Sequence, residues 1–335
     1  MFLEERTMHT KFELWTYQVV SVLTLLVLTG FAGWSQAQMR LEVRPIESMT
    51  LTSDAFLRAE SGKPVVLAGE LRIPRPGTDK LPAVVLMHAS GGINPGVDRW
   101  AEDLNSLGVA TFIVDSFSGR GITGLPPDPS NEAFLWVIVD AYRALGVLAQ
   151  HPRIDPNRIA VMGFSMGGLV ATYTSNERFW KAYGPANVQF AAHISLYGNC
   201  GVTYRDDTKV TGKPIRMFHG TADDIELVAP CRAYVARLKH AGADATLTEY
   251  AGAQHGFDWF MFKEPMKLPQ ARTGVNCSLA EGERGQLVDT ATGKLYDPAV
   301  SCNVRGGTLL YNEAAANATT AAVKEFLTAT FGLNK

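Results

Sequence analysis

The chain has 335 residues, of which 46% are hydrophobic and 19% are charged, and its formal net charge is −2. A chain of this length and apolar content can bury a large core, so a mainly disordered state is excluded. The near-neutral charge argues against a nucleic-acid-binding protein, which needs a basic face.

The N-terminal residues have the pattern of a targeting segment. No charged residue occurs from Trp15 to Trp34, and the small-x-small sequence Ser35–Ala37 follows this apolar run. This pattern is typical of a secretory signal peptide, here residues 1–37 with cleavage after Ala37. The alternative is an uncleaved anchor helix, because about 20 apolar residues also span a bilayer. Both interpretations predict that the folded part faces an oxidising compartment, either periplasmic or outside the cell.

The remaining chain alternates predicted strands and helices. Residues 38–63 are assigned to an edge hairpin. Strands are predicted at 64–72, 81–88, 109–114, 158–162, 190–197, 214–218 and 245–250, and helices at 97–107, 130–150 with Ser130 as N-cap, 166–176, 227–240 and 314–331. Such alternation indicates βαβ units and a mostly parallel sheet covered by helices on both faces. We therefore predict one α/β domain over residues 38–335.

The segment at about 260–311 is the irregular part of this domain and contains two of the four cysteines, Cys277 and Cys302. The other two are Cys200 and Cys231. An even number of cysteines in an exported chain indicates two disulfides, for which three pairings are possible. We expect the nearest-neighbour pairing, Cys200–Cys231 and Cys277–Cys302, so that 260–311 is a disulfide-stapled insertion.

Three patterns that could indicate a metal or a cofactor are incomplete. None of the cysteines forms a CxxC pair, so the spacing of a zinc site is absent. The sequence GRGITG at 119–124 matches a dinucleotide-binding pattern but runs into two prolines instead of a helix. Asp223, Asp224 and Glu226 lack a further ligand cluster. We expect no metal and no cofactor.

The sequence GFSMG at 163–167 matches the pattern G-x-S-x-G, with Ser165 at its centre. It follows a predicted strand and opens a predicted helix, which is the context that this pattern requires. Glycines are needed two positions before and after the serine, because side chains there would clash in the sharp turn. The serine hydroxyl then projects at the carboxyl edge of the sheet. We predict that Ser165 is a nucleophile; the alternative is a tight glycine turn with an inert serine.

A serine nucleophile needs a general base, and the base needs an acid that orients it. On a sheet of this kind the chain order is serine, acid, histidine. The sequence HGTADD follows one later strand and QHGF follows the next. We predict Asp223 as the orienting acid, with Asp224 as its substitute, and His255 as the base. The alternative for the two aspartates is a solvated turn that caps the following helix.

An acyl-transfer intermediate also needs two hydrogen-bond donors for its oxyanion. The first is the backbone N–H of Met166, which begins the helix after Ser165 and has no acceptor within that helix. The second is expected from the loop HASGG, which follows the strand at 81–88, and Ser90 N–H is the first choice. The glycines of this loop let the backbone approach a substrate closely.

Together these residues resemble the dienelactone hydrolase family of α/β-hydrolases. The resemblance rests on the strand VVLMH with its glycine loop, the segment VDSF with Arg120, and the sequences GFSMGG, HGTADD and AQHGFD. It covers roughly Pro64 to Phe257 and the last helix. It implies an α/β-hydrolase fold and places the family's triad and oxyanion donors on the residues already singled out.

Three positions depart from the family pattern. The family's cysteine nucleophile is serine here, and the glutamate of its first oxyanion loop corresponds to Ala89. Of the family's two substrate-binding arginines, one corresponds to Arg120 and the other to Trp259. The resemblance therefore implies an exported, serine-type relative. We expect Arg120, Phe117 and Trp259 to line the substrate pocket, with core packing as the alternative for the two aromatic residues.

The sequence thus predicts an ester hydrolase that acts through an acyl-enzyme on a small apolar or aromatic ester. The alternatives are a peptidase or acyltransferase on the same fold, and an exported binding protein without turnover. The expected partner is a small-molecule ester. We expect no nucleic acid and no stable membrane partner after signal cleavage, and the oligomeric state is left open.

Overall fold

An eight-stranded sheet forms the centre of the described part of the chain. The computed structural model describes residues 39–123, 134–273, 275–297, 302 and 304–333. The strands are β1 (Arg40–Thr50), β2 (Lys63–Ile73), β3 (Leu81–Met87), β4 (Ala110–Asp115), β5 (Ile154–Phe164), β6 (Ala192–Leu196), β8 (Ile215–Gly220) and β9 (Ala245–Tyr250), while β7 (Val202–Thr203) lies outside this sheet. Their order across the sheet is β1-β2-β4-β3-β5-β6-β8-β9. The neighbours from β4 to β9 in this order are parallel, whereas β2 is antiparallel to both β1 and β4.

Helices cover both faces of the sheet because its central strands are apolar on both sides. Every residue of β3 is buried; Ala83, Val85 and Met87 belong to one buried cluster, and Val84 and Leu86 to the other. The helices are α1 (Ser53–Leu57), α2 (Pro95–Asn105), α3 (Trp136–Ala149), α4 (Met166–Tyr173), α5 (Glu177–Tyr183), α6 (Val228–His240) and α7 (Glu313–Phe331). The first cluster includes side chains of α3, α4 and α6, and the second includes those of α2 and α7. The predicted α/β-hydrolase fold with a mostly parallel sheet is confirmed.

Several predicted elements differ from the structure. Residues 38–63 do not form a hairpin of their own: they contain β1 and α1, and β1 pairs with β2. The short strand at 158–162 is part of the longer β5, and the helix expected at 166–176 ends at Tyr173. A second helix, α5, begins after Asn176 because the Asn176 side chain accepts a hydrogen bond from the Phe179 N–H. The proposed cap Ser130 and the signal segment 1–37 lie outside the described residues. Among the described residues, no helix combines the length and the hydropathy needed to cross a membrane.

The segment 260–311 consists of short strand pairs instead of a second core. Its strands are β10 (Met266–Lys267), β11 (Arg272–Thr273), β12 (Leu279–Glu281), β13 (Leu287–Asp289), β14 (Lys294–Leu295), β15 (Val304–Arg305) and β16 (Thr308–Leu309). β10 pairs with β16 and β11 with β15, while β12 pairs in parallel with β7. Buried Glu281 of β12 accepts hydrogen bonds from Arg178 and Arg205, which hold the segment against the main body.

Both expected disulfides are present. Cys200–Cys231 joins the loop after β6 to helix α6, and Cys277–Cys302 lies within the segment 260–311. The predicted pairing is therefore confirmed. The first bridge fixes a loop at the carboxyl edge of the sheet, and the second closes the irregular segment.

The prediction that Arg120 binds substrate is wrong. Its guanidinium donates to both carboxylate oxygens of Asp140 at 2.8 and 2.9 Å and to the carbonyls of Met49 and Ser116, and its Nε donates to Thr50. Only 4% of the Arg120 side chain is exposed. These contacts tie the edge strand β1 to helix α3, so the donors of Arg120 are used within the protein.

Replacing Asp140 by asparagine should strongly destabilise the fold. The change leaves the buried charge of Arg120 without a counter-ion, which costs about 3–5 kcal/mol. Equilibrium unfolding in denaturant measures this loss. Asp206→Asn is the matched control, because its ion pair with Lys209 is more than half exposed on both sides and should contribute no more than about 1 kcal/mol. Equal losses for the two variants would contradict the assignment.

Candidate active site

Ser165 occupies a strained turn between β5 and α4. Its backbone angles are φ 53° and ψ −114°, a conformation that L-residues rarely adopt. Two glycines make the turn possible: a Cβ on Gly163 would lie 2.0 Å from the Gly167 carbonyl oxygen, and one on Gly167 would lie 2.0 Å from that of Met87. A side chain at either glycine would therefore clash with the backbone, as expected from the sequence. The turn places Ser165, which is 8% exposed, at the carboxyl edge of the sheet.

A continuous chain of hydrogen bonds runs from Ser165 to a buried carboxylate. His255 Nε2 lies 2.9 Å from Ser165 Oγ, and His255 Nδ1 lies 2.8 Å from Asp223 Oδ2. Because Nδ1 donates to the carboxylate, the neutral ring leaves Nε2 free to accept the serine proton. Asp223 follows β8, and His255 follows β9. The structure thus brings together the three residues that the sequence placed at separate strand ends.

Asp223 is held as an anion by three hydrogen-bond donors and by the nearby ring of His219. Its Oδ1 accepts the N–H groups of Ile225 and Glu226 at 3.0 and 2.8 Å, and His219 Nε2 lies 3.3 Å from its Oδ2, which also accepts from His255. Burial acts to raise the pKa of Asp223, but the charge of His255 and the hydrogen bonds of His219 and His255 outweigh it and hold this pKa below its usual range.

The substitute acid Asp224 points elsewhere. Its two carboxylate oxygens accept from the backbone N–H and the hydroxyl of Thr308, both at 2.8 Å. Asp224 therefore anchors β16, whereas Asp223 faces the histidine. Within the part of the chain that the structure describes, no three His, Cys, Asp or Glu side chains are grouped so that they could hold a metal ion.

His255 is more basic than an ordinary histidine. Burial acts to lower its pKa, but the charge of Asp223 and its hydrogen bond outweigh burial, and Glu226 and Asp258 act in the same direction, so the pKa is raised above its usual value. The ring also packs edge to face against Tyr197, with centroids 4.8 Å apart. The imidazole is thus fixed in place and poised to accept a proton.

The two expected oxyanion donors come from the start of α4 and from the loop after β3. Met166 is the first residue of α4, so its N–H has no acceptor within that helix. Ser90 lies in the loop after β3, which a Gly92 N–H bond to the Ala89 carbonyl closes at 2.9 Å. His88 orients this loop, because its Nδ1 lies 2.7 Å from the Ala89 oxygen and its Nε2 accepts from the Ser116 N–H.

The aromatic residues predicted to line the pocket are core residues. Phe117 is 3% exposed and packs against His88 and Trp136. Trp259 is 8% exposed and packs against Tyr197 and Phe262. Both side chains therefore follow the core-packing alternative.

Four residues around the triad were given no role in it from the sequence: Tyr197, Asn199, Glu226 and Asp258. Tyr197 donates its hydroxyl proton to Asp258 at 2.6 Å, and Asn199 donates to Glu226. Glu226 and Asp258 each lie three positions after a predicted triad residue, which is the one signal that could have found them. Tyr197 directly follows β6, and its φ of 41° marks the end of that strand.

A family model described as "Dienelactone hydrolase family" matches residues 70–264, more than half of the chain. The chain belongs to the dienelactone hydrolase family. Membership makes it a hydrolase that acts on ester bonds. A curated relative from Bradyrhizobium sp, a probable 2-oxo-3-(5-oxofuran-2-ylidene)propanoate lactonase, is 26% identical over 202 residues, which are 54% of this chain and 75% of that protein.

Solved structures agree with this membership at the level of the fold. One is a dienelactone hydrolase-like promiscuous phosphotriesterase from metagenomic libraries, with 14% identity and a TM-score of 0.52. Another is m3DLH, with 18% identity and a TM-score of 0.54. Each comparison covers 87% of this chain and 98% of the other.

The geometry of the turn predicts that Gly167→Ala destabilises this dienelactone hydrolase-family protein. The new Cβ meets backbone oxygen atoms that cannot move aside, which should cost about 2–3 kcal/mol or more. Gly146→Ala is the matched control, because no atom lies within 4 Å of its Cβ position in helix α3, and it should stabilise by about 1 kcal/mol. Denaturant unfolding of both variants tests this; a Gly167→Ala protein as stable as the wild type would refute the close approach.

Proposed function

We propose that this protein is a serine ester hydrolase in which Ser165, His255 and Asp223 form the catalytic triad. The observation that carries the proposal is the hydrogen-bond chain from Ser165 Oγ through both nitrogens of His255 to Asp223. Nucleophile, base and orienting acid in this arrangement are the shared requirement of covalent acyl transfer.

The reaction follows from these contacts. His255 Nε2 takes the proton of Ser165 as Oγ attacks the ester carbonyl, and the N–H groups of Ser90 and Met166 bind the developing oxyanion, each contributing about 3 kcal/mol. Asp223 stabilises the imidazolium that forms. The tetrahedral intermediate then collapses, and His255 gives its proton to the leaving alcohol. Water attacks the acyl-enzyme with His255 again as base, which releases the acid and restores Ser165.

The charges around the triad favour an uncharged ester as substrate. The acidic residues Asp223, Glu226 and Asp258 all act electrostatically on His255 and raise its pKa. The one arginine expected here, Arg120, is turned into a buried pair with Asp140. Exposed apolar side chains follow two of the site loops, namely Ile93 after the oxyanion loop and Phe260 after the His255 loop. A small apolar or aromatic ester without a carboxylate fits this environment.

We also propose that the folded part, residues 38–335, works as a single exported domain after removal of the signal peptide. The two disulfides support this, because such bridges persist in oxidising compartments.

Covalent labelling tests the role of Ser165. A fluorophosphonate probe should label the wild-type protein and should fail to label Ser165→Ala, which should also lose hydrolysis of p-nitrophenyl esters by a factor of about 10³ or more. Ser106→Ala is the matched control, since its hydroxyl bonds only the Asp103 carbonyl on the surface. Labelling of Ser165→Ala, or no labelling of a folded wild type, would overturn the mechanism. Turnover of amides or transfer to added alcohols in preference to water would favour a peptidase or an acyltransferase.

Substrate charge provides a separate test. At low salt, kcat/KM for p-nitrophenyl butyrate should exceed that for the p-nitrophenyl monoester of succinate by on the order of tenfold. The reason is that the acidic groups around His255 repel the free carboxylate of the succinate ester. The ratio should shrink as salt is added. Equal rates for the two esters would show that the acidic groups do not select against anionic substrates.

A further inference from the structure

Glu226 contacts the catalytic acid through its main chain. Its backbone N–H donates to Asp223 Oδ1 at 2.8 Å, and its carbonyl accepts from His219 Nε2 at 2.7 Å. The same His219 nitrogen lies 3.3 Å from Asp223 Oδ2. Glu226 therefore fixes the loop that presents Asp223 from both of its backbone polar groups.

The Glu226 side chain adds a second carboxyl group to the same region. It accepts a hydrogen bond from Asn199 Nδ2, while Asn199 Oδ1 accepts from the Gly201 N–H at 2.7 Å. Asn199 precedes Cys200, whose disulfide to Cys231 anchors this loop to helix α6. The carboxyl group is thus held between the loop after β6 and the loop after β8.

We propose that Glu226, anchored by Asn199, is a positioning residue for the triad, which supplies a second negative charge to the His255 imidazolium. This inference rests on the proposed function in one respect, that His255 is the base. Glu226 makes no bond to His255 or Ser165 and acts through Asp223 and through its charge.

The effect of the Glu226 charge on the pKa of His255 depends on the other groups that face His255. They are Ser165, Tyr197, Asp223, Glu226 and Asp258. His219 faces Asp223 from the end of β8. Asp223 is bonded to the ring, whereas Asp258 accepts hydrogen bonds from Tyr197 and Trp100, and burial raises the pKa of Asp258. Glu226 differs from Asp258 in its position, because its backbone N–H and carbonyl also hold the loop that presents Asp223.

Burial raises the pKa of Glu226 to about 7, against the attraction of the His255 charge. When Glu226 is ionised, it stabilises protonated His255 and raises the pKa of the imidazole. Removal of the carboxylate should therefore lower the pKa of His255. Because the base must be neutral to act, activity that the wild type loses as the pH falls should persist to lower pH in the variant.

An NMR titration of the ¹⁵N-labelled imidazole of His255, assigned by comparison with a His255→Gln variant, tests this directly in the full-length protein. Glu226→Gln should lower the pKa of His255 by about 0.5 unit or more. Glu226→Asp retains the charge and should restore most of the difference. Asp224→Asn is the matched control, because it removes one charge from the same loop but faces Thr308, and it should leave the pKa of His255 within about 0.2 unit of the wild type.

An unchanged pKa in Glu226→Gln, an equal shift in Asp224→Asn, or an equal shift in Glu226→Asp would overturn the inference. If Glu226→Gln does not fold, Asn199→Ala gives the same test, because loss of the donor disfavours the ionised carboxyl and should shift the pKa of His255 in the same direction. The acid limb of fluorophosphonate labelling should move with the titration. Absence of labelling in the wild type would refute the proposed function, while the titration would still decide the role of Glu226.

Discussion

The hydrogen bond between Ser165 and His255 depends on a backbone conformation that costs about 1–3 kcal/mol by itself. The turn at Ser165 persists because its neighbours leave little alternative. Gly167 packs against the Met87 carbonyl of β3, and the Ser165 N–H donates to the Leu196 carbonyl of β6 at 3.0 Å. Three adjacent parallel strands therefore hold one hydroxyl in place, and the strain is offset by packing of the whole sheet.

Asp223 and His255 are held in a different way, by the C-terminal end of the segment 260–311. Thr308 is bonded to Asp224, next to Asp223, while Leu309 forms a bridge with His255. A Cβ on Gly307 would lie 2.4 Å from an Ile225 side-chain atom, so the backbone of this segment lies directly on the acid loop. An insertion that looks dispensable in sequence thus links the two loops that carry Asp223 and His255. Its disulfide and the Glu281 ion pairs stabilise that link.

Short sequence patterns predicted those parts of the structure that depend on neighbouring residues alone. The turn at Ser165 could be predicted because its steric requirement involves only the five residues 163–167. The strands could be predicted because buried parallel strands are apolar throughout. The choice of Asp223 over Asp224 agrees with the geometry, although adjacent aspartates look alike in sequence. What separates them is Thr308, more than eighty residues later.

The errors have the same origin. Arg120 lies in a segment that resembles a substrate-binding one, but its partner Asp140 belongs to another element, and no pattern shows that the two side chains meet. Phe117 and Trp259 are apolar residues beside the site loops, and only packing decides whether such rings face a cavity or the core. Helix α5 was missed because Asn176 was taken as the end of one helix, whereas its side chain begins the next.

The ion pair of Arg120 with Asp140 also affects the electrostatics of the site. In the family pattern, an arginine at this position favours an anionic substrate, but here its charge is neutralised by Asp140 at the edge of the sheet. The carboxyl groups of Asp223, Glu226 and Asp258, which all act to raise the pKa of His255, then lack that counter-charge. A negative environment of this kind stabilises protonated His255, and it opposes the approach of an anion. The same arrangement of charges therefore supports the basicity of His255 and is the basis on which we propose an uncharged ester as substrate.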